Sequence, residues 1–101
     1  MTQLYSIFCH DGPDTAAIRA DKLADHLAHV ETVLDRIAVA GPFYDAEDMQ
    51  VGSILIVKAD SAEAAREFLE RDPYYQAGIW DKIEIYRFAG AAGEWLGGKT
   101  W

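Results

Sequence analysis

An α+β fold, four antiparallel strands backed on one face by two helices, is what this sequence predicts, and three observations predict it. The chain has 101 residues, half of them hydrophobic and a quarter charged, which suits one small globular domain with a modest core. One long segment repeats its apolar residues at helical spacing, while others alternate or cluster β-branched residues between turns. In order the segments run β-α-β-β-α-β, and right-handed crossovers convert that order into a ferredoxin-like domain.

Gln3 to Cys9 is rich in β-formers (Tyr5, Ile7, Phe8) and stops at the turn His10-Asp11-Gly12-Pro13. Between Arg19 and Ala38, residues Leu23, Leu27, Val30, Leu34 and Ile37 form one narrow stripe of an amphipathic helix. Val39 to Tyr44 follows as a short strand bent by Gly41-Pro42, and a polar turn runs from Asp45 to Gly52. Ser53-Ile54-Leu55-Ile56-Val57-Lys58 has the β-branched composition of a central strand. Asp60 or Ser61 caps a second helix, Ala62 to Arg71, whose Ala65, Phe68 and Leu69 face inward. Asp72-Pro73 ends that helix, because the residue before proline is pushed out of helical geometry, and Asp72 can cap a further short turn that begins at Pro73. Lys82 to Phe88 alternates Ile83 and Ile85 with Glu84 and Tyr86 as the last strand.

Residues 1–88 therefore make one ferredoxin-like domain, and residues 89–101 make a glycine-rich tail holding Trp95 and Trp101. Two readings of the tail stay open: a frayed end, or a segment packed on a partner subunit. A sheet with both helices on one face leaves the other bare. A chain this small covers it with a second copy, so a homodimer is expected.

A formal net charge of -8 with no basic cluster argues against nucleic acid and against an anionic membrane surface as partners. Cys9 is the single cysteine, which excludes an internal disulfide and a cysteine-based zinc site and fits a reducing cytoplasm. The first residues lack the basic leader and apolar run of a signal peptide, and no apolar stretch approaches the ~20 residues of a membrane-spanning helix. A soluble cytoplasmic protein is expected.

His26 lies at the edge of the first helix's stripe, roughly 60° from its centre at 100° per residue. An imidazole there is half-desolvated yet reachable, and histidine titrates near pH 6.5 when unperturbed, which suits proton transfer. An ordinary boundary histidine is the plain alternative. The topology brings the end of strand one, helix one and the end of helix two to one edge. That edge gathers Cys9, His10, Asp11, His26 and Asp72, with Tyr44 and Ser53 arriving on the middle strands. A carboxylate beside an imidazole fixes its tautomer, orients it and favours its protonated form, so His26 and Asp72 are the candidate acid–base pair. Capping alone would also justify Asp72.

Other constellations are weaker. Cys9 and His10 are strand neighbours that point to opposite faces, which makes Cys9 a core residue rather than a nucleophile. His10, His26 and His29 with Asp11 lack any specific ligand signature, so no metal is expected. Gly93 to Gly98 is no phosphate loop, because the glycine spacing before its lysine is wrong. Tyr74 and Tyr75 either line a pocket or make dimer contacts.

His26-Leu27, Ala40-Gly41-Pro42, Gly52-Ser53, Asp60-Ser61-Ala62-Glu63-Ala64-Ala65, Asp72-Pro73-Tyr74 and Ala77-Gly78 occur in an order and spacing that resembles the YciI-related (YCII) domain family. The likeness runs from the first strand to about Phe88. It implies a dimeric ferredoxin-like α+β barrel similar to muconolactone isomerases, with His26 and Asp72 at the positions of the family's characteristic histidine and aspartate. Asp11 matches an acidic position of relatives and is the alternative carboxylate. Many relatives carry an arginine three residues before the histidine, where this chain has Leu23. A dehydrochlorinase-type lyase acting on a chlorinated hydroquinone is among the activities associated with the family, although family membership does not fix function.

These readings converge on a cofactor-independent lyase or isomerase acting on a small cyclic or unsaturated molecule. His26 would shuttle the proton and Asp72 orient it, with Asp11, Gly41, Pro42, Tyr44, Ser53 and Tyr74 around the substrate. The competing expectation is a non-catalytic ligand-binding or accessory module, and a third is a buried folding pair.

Overall fold

A computed structural model describes residues 2–101. Its elements are β1 (Gln3–Asp11), α1 (Ala16–Thr32), a 3-10 turn (Leu34–Arg36), β2 (Ile37–Tyr44), β3 (Gln50–Ala59), α2 (Ala62–Glu70), α3 (Pro73–Gln76) and β4 (Trp80–Phe88). A short hairpin follows, β5 (Ala92–Gly93) and β6 (Gly98–Lys99), joined through a 3-10 turn at Glu94–Leu96. The long strands form one antiparallel sheet in the order β2-β3-β1-β4. That is the α+β arrangement the element order predicts.

Strand alternation divides the sheet into two faces. Tyr5, Ile7 and Cys9 stand opposite Val57, Leu55 and Ser53 on one side and Arg87, Ile85 and Ile83 on the other. The core forms on this face, where Tyr5, Ile7, Cys9, Leu55 and Val57 meet Ala65, Phe68 and Leu69 of α2 and Tyr74, Ile79 and Trp80. The inward residues expected of the second helix are thus its buried ones. Ser61 rather than Asp60 caps α2, its hydroxyl accepting from Ala64 N–H at 3.1 Å.

The middle of the chain departs from its sequence reading. The helix begins at Ala16 and stops at Thr32, so Leu34 lies in the 3-10 turn and Ile37 opens β2 opposite Val57. Clustered β-branched residues (Val30, Thr32, Val33) weaken helix propagation here. The Thr32 hydroxyl also donates to His29 O at 2.6 Å at the helix end. Strands run longer than expected: β1 extends to Asp11, β3 starts at Gln50 and β4 at Trp80. The polar turn is correspondingly shorter. Asp45 Oδ1 accepts from Glu47 N–H and Met49 N–H at 2.9 and 3.0 Å, with Asp48 in the left-handed region at φ 63°.

The larger departure concerns α1, which buries none of its residues. It packs chiefly on α3 and stands off the sheet, leaving Leu23 and Leu27 46% and 51% exposed. The apolar stripe faces a cleft instead of a closed core.

Leu4, Phe8, Ile54, Ile56, Tyr86 and Phe88 lie on the opposite, helix-free face by register. The tail hairpin folds against one end of it, enclosing a groove lined by Leu4, Val39, Ile56, Phe88, Trp95 and Leu96. Trp95 and Trp101 themselves are 85% and 75% exposed. No helix among the described residues is long and apolar enough to cross a membrane.

Candidate functional site

The cleft between α1 and the sheet has about 330 Å³ of free volume around His26, Asp72, Ser53, Tyr74 and Trp80. Its apolar walls are Leu23, Leu27 and Val30 of the helix with Ile37, Ala40 and Leu55 of the strands. Beyond Arg19 it continues into an outer chamber of about 630 Å³ toward Asp11, Thr15 and Met49. Arg19, Leu23, Gln50 and Tyr74 line both chambers.

His26 and Asp72, 46 positions apart in the chain, meet at this cleft: His26 Nδ1 donates to Asp72 Oδ1 at 2.8 Å. The same oxygen accepts the Tyr74 backbone N–H at 2.8 Å as the N-cap of α3. Cap and imidazole partner are one residue, as the Asp72-Pro73 signal allows. The Asp72 side chain is only 5% exposed and that of His26 20%. A carboxylate on Nδ1 fixes the proton there, so the neutral ring offers the lone pair of Nε2. Tyr74 stacks flat on the imidazole, 3.9 Å between centroids at 5°, and Trp80 meets Tyr74 edge-on at 6.1 Å. Burial pushes the Tyr74 phenol pKa up, partly offset by Arg19, and its hydroxyl donates to Arg19 O at 3.3 Å.

The remaining sequence candidates divide. Gly41, Pro42 and Ser53 line the inner chamber with His26. Asp11 lines the outer one, and its Oδ1 takes Arg19 Nη2 at 2.6 Å. Tyr44 does not join them, because it sits exposed at the end of edge strand β2. Tyr75 points elsewhere, donating to Glu70 at 3.3 Å beside Arg66. Cys9 is fully buried, and burial, reinforced by Asp72 and Asp11, pushes its thiol up to about 12, so it is no nucleophile at neutral pH.

The three histidines do not converge. His10 lies on the helix-free face, where its Nε2 meets Glu84 at 2.8 Å and its ring meets Phe43 edge-on. That hydrogen bond, with one from Tyr86, holds the Glu84 carboxyl below the usual carboxylate range. His29 sits in the last turn of α1 and does not line the cleft. Among the described residues no group of three histidine, cysteine or acidic side chains is placed to hold a metal ion.

Arg19 is the site residue that sequence reasoning missed. The available signal was its distance from His26, seven residues, which is about two helical turns and the same face.

A ferredoxin-like α+β domain with an imidazole–carboxylate pair in a helix–sheet cleft is the class that the fold and site define. A model of the YCII-related domain matches residues 3–89, and the chain belongs to that family. It is 31% identical over 93 residues to Protein YciI of Escherichia coli, covering 84% of this chain and 95% of the relative. It is 30% identical over 96 residues to Fusaric acid biosynthesis protein 2 of Gibberella fujikuroi, covering 83% and 90%. Among solved structures, it resembles the 5-chloro-2-hydroxyhydroquinone dehydrochlorinase TftG of Burkholderia phenoliruptrix AC1100, in complex with 2,5-dihydroxybenzoquinone. That match has a TM-score of 0.77 at 33% identity and covers 90% of this chain and 96% of that one.

Proposed function

We propose that this protein is a small cofactor-independent enzyme of the lyase or isomerase type, moving a proton on a small cyclic or unsaturated substrate. The observation that carries the reading is the 2.8 Å bond from His26 Nδ1 to a buried Asp72, at a cleft wall. With its proton held on Nδ1, His26 takes a proton at Nε2 from a C–H or O–H of the substrate. Asp72 balances the imidazolium that forms. Elimination follows if a leaving group departs with its bonding pair, and isomerisation follows if His26 returns the proton at another carbon. Apolar walls flank the reacting centre, and the Ser53 hydroxyl offers one hydrogen bond within the same chamber.

Likeness to a dehydrochlorinase at 33% identity and to a fusaric acid biosynthesis protein supports chemistry of this kind on a ring-bearing substrate. Dehydrochlorination is the form of elimination we would screen first. The reading also has a second copy covering the helix-free sheet face.

Nitrogen NMR of the His26 ring in wild type and Asp72→Asn tests the pair. In the wild type the neutral ring carries its proton on Nδ1, and that preference weakens without Asp72; an unchanged tautomer would remove the pairing. Screening chlorinated hydroquinones against wild type and His26→Ala then tests the chemistry. Equal binding by both without conversion would instead make the chain a ligand-binding module.

A further inference from the structure

We infer that the substrate carries an uncharged apolar side chain on its ring, and that Leu23 and Met49 are the residues that select it. The inference rests on the proposed function for where the ring sits, beside His26, but not for the proton transfer.

The shape of the cleft comes first. Ala16, Ala20, Leu23, Leu27 and Val30 recur at three- and four-residue steps, so α1 turns one continuous apolar strip toward it. Ala16 and Ala20 line the outer chamber, Leu27 and Val30 the inner one, and Leu23 both. With a rise of about 1.5 Å per residue, the strip continues for roughly 10 Å from Leu23 to Ala16, beyond the ring beside His26. The inner chamber, about 330 Å³, already sits at the low end of small-molecule sites. The outer one, about 630 Å³, adds nearly twice that volume, and a lone ring beside His26 leaves it unused.

The chemistry of the outer walls says what fills it. Met49 and Val51, from the turn after β2 and the start of β3, complete the apolar lining. Met49 is 62% exposed, and Leu23 and Leu27 are about half exposed, although all three belong to one continuous cleft. Exposed apolar side chains gathered at one concavity mark a ligand surface, and a methionine adapts its shape to the occupant. The Met49 backbone, in contrast, is fixed. Asp45 Oδ1 accepts its N–H at 3.0 Å, and its carbonyl accepts the Asp45 N–H at 2.9 Å. The charged groups of the outer walls disfavour an acidic chain. Asp11 and Arg19 neutralise each other at 2.6 Å, which leaves Asp14 to repel an anion. A neutral apolar chain gains most here, because it takes the Leu23 and Met49 surfaces out of water.

Calorimetric titration with alkylresorcinols bearing a methyl, propyl or pentyl chain tests this. Affinity rises about twofold per methylene, half the gain of full burial because the cleft is open on one side. The pentyl probe therefore binds about tenfold or more tighter than the methyl probe. Leu23→Asn and Met49→Ser each change an exposed position and so leave the fold intact. Each cuts that ratio to about threefold or less and keeps the methyl probe within twofold of wild type. His26→Ala leaves the ratio unchanged. A chain of pentyl length ending in a carboxylate binds no better than the methyl probe. In protein with methyl-labelled methionine, the pentyl probe shifts the Met49 signal and the methyl probe does not. The inference is overturned if no probe binds the wild type at millimolar concentration or if affinity is independent of chain length. It is also overturned if both variants keep the wild-type ratio, which would seat the chain elsewhere, or if the carboxylate chain binds as tightly as pentyl. Length dependence that follows these variants without conversion of any substrate keeps the chain site and sinks the proton-transfer reading. Conversion of a chlorinated hydroquinone with no length dependence does the reverse.

Discussion

At the scale of single residues, Asp72 separates two roles that one substitution set can resolve. Asp72→Asn keeps a side-chain oxygen for the Tyr74 amide but loses the charge that fixes the His26 tautomer. Its stability should stay within about 1 kcal/mol of wild type while turnover of an identified substrate falls about 10²-fold or more. Asp72→Ala loses the cap as well, and thermal melts should show a further cost of about 1 kcal/mol. Equal turnover by wild type and Asp72→Asn would remove Asp72 from the chemistry. Cys9 gives a pH prediction. Its native thiol stays protonated to about 12, whereas the unfolded thiol ionises near 9. The unfolded chain therefore binds fewer protons above pH 9, and stability falls as pH rises through that window, by up to about 1.4 kcal/mol per pH unit. Urea melts on either side of pH 9 should show a shallower decline in Cys9→Ala, and identical slopes would refute the assignment. Residues with a local signature were readable from sequence, such as a cap before proline or a small apolar residue on a central strand. Arg19 was not, because its importance comes from a cleft that only the tertiary arrangement creates.

At the scale of elements, Leu34 and Ile37 show how a sequence pattern can mislead. Both continue the three- and four-residue spacing of α1, yet Ile37 gains more as the first residue of a strand paired with Val57. Periodicity alone does not weigh a helix turn against a ladder pair. The exposure of Leu23 and Leu27 was equally hidden, since a stripe facing a cleft has the same spacing as a stripe facing a core. A helix held mainly by α3 should open more readily than the central strands. Hydrogen exchange should find α1 amides less protected than those of β1 and β3, and a cleft ligand should narrow the gap; equal protection in the free protein would contradict this. Gly52 on β3 makes a sharper case. A Cβ there would collide with the Cys9 carbonyl oxygen and the Phe43 ring, so Gly52→Ala should cost about 1–3 kcal/mol in denaturant melts. An unperturbed melt would show that β2 gives way freely.

At the scale of the whole molecule, the two faces of the sheet have different fates. One carries the helices and the cleft, and the other presents Phe8, Ile54, Ile56 and Phe88 with a tail covering only one end. The radius of gyration, 14.2 Å, exceeds the ~13 Å of a compact chain this long, and the long axis reaches 44 Å. Element order made the fold readable, because few topologies satisfy β-α-β-β-α-β with right-handed crossovers. The tail was unreadable, since glycines leave its path to whatever surface it meets. If a second copy covers the open face as proposed, sedimentation should find a dimer, and Ile54→Lys should give a folded monomer. A wild type that sediments as a monomer at micromolar concentration would end that proposal.

One oxygen, Asp72 Oδ1, receives both the α3 amide and the His26 ring. Selection for foldability alone would therefore retain the aspartate, whatever became of the substrate. The histidine's other contact is its stacking on Tyr74, which another planar side chain could supply. In a lineage that stopped needing the reaction, position 26 should drift first and position 72 linger, so an aspartate facing a lost imidazole would mark a retired copy of this site.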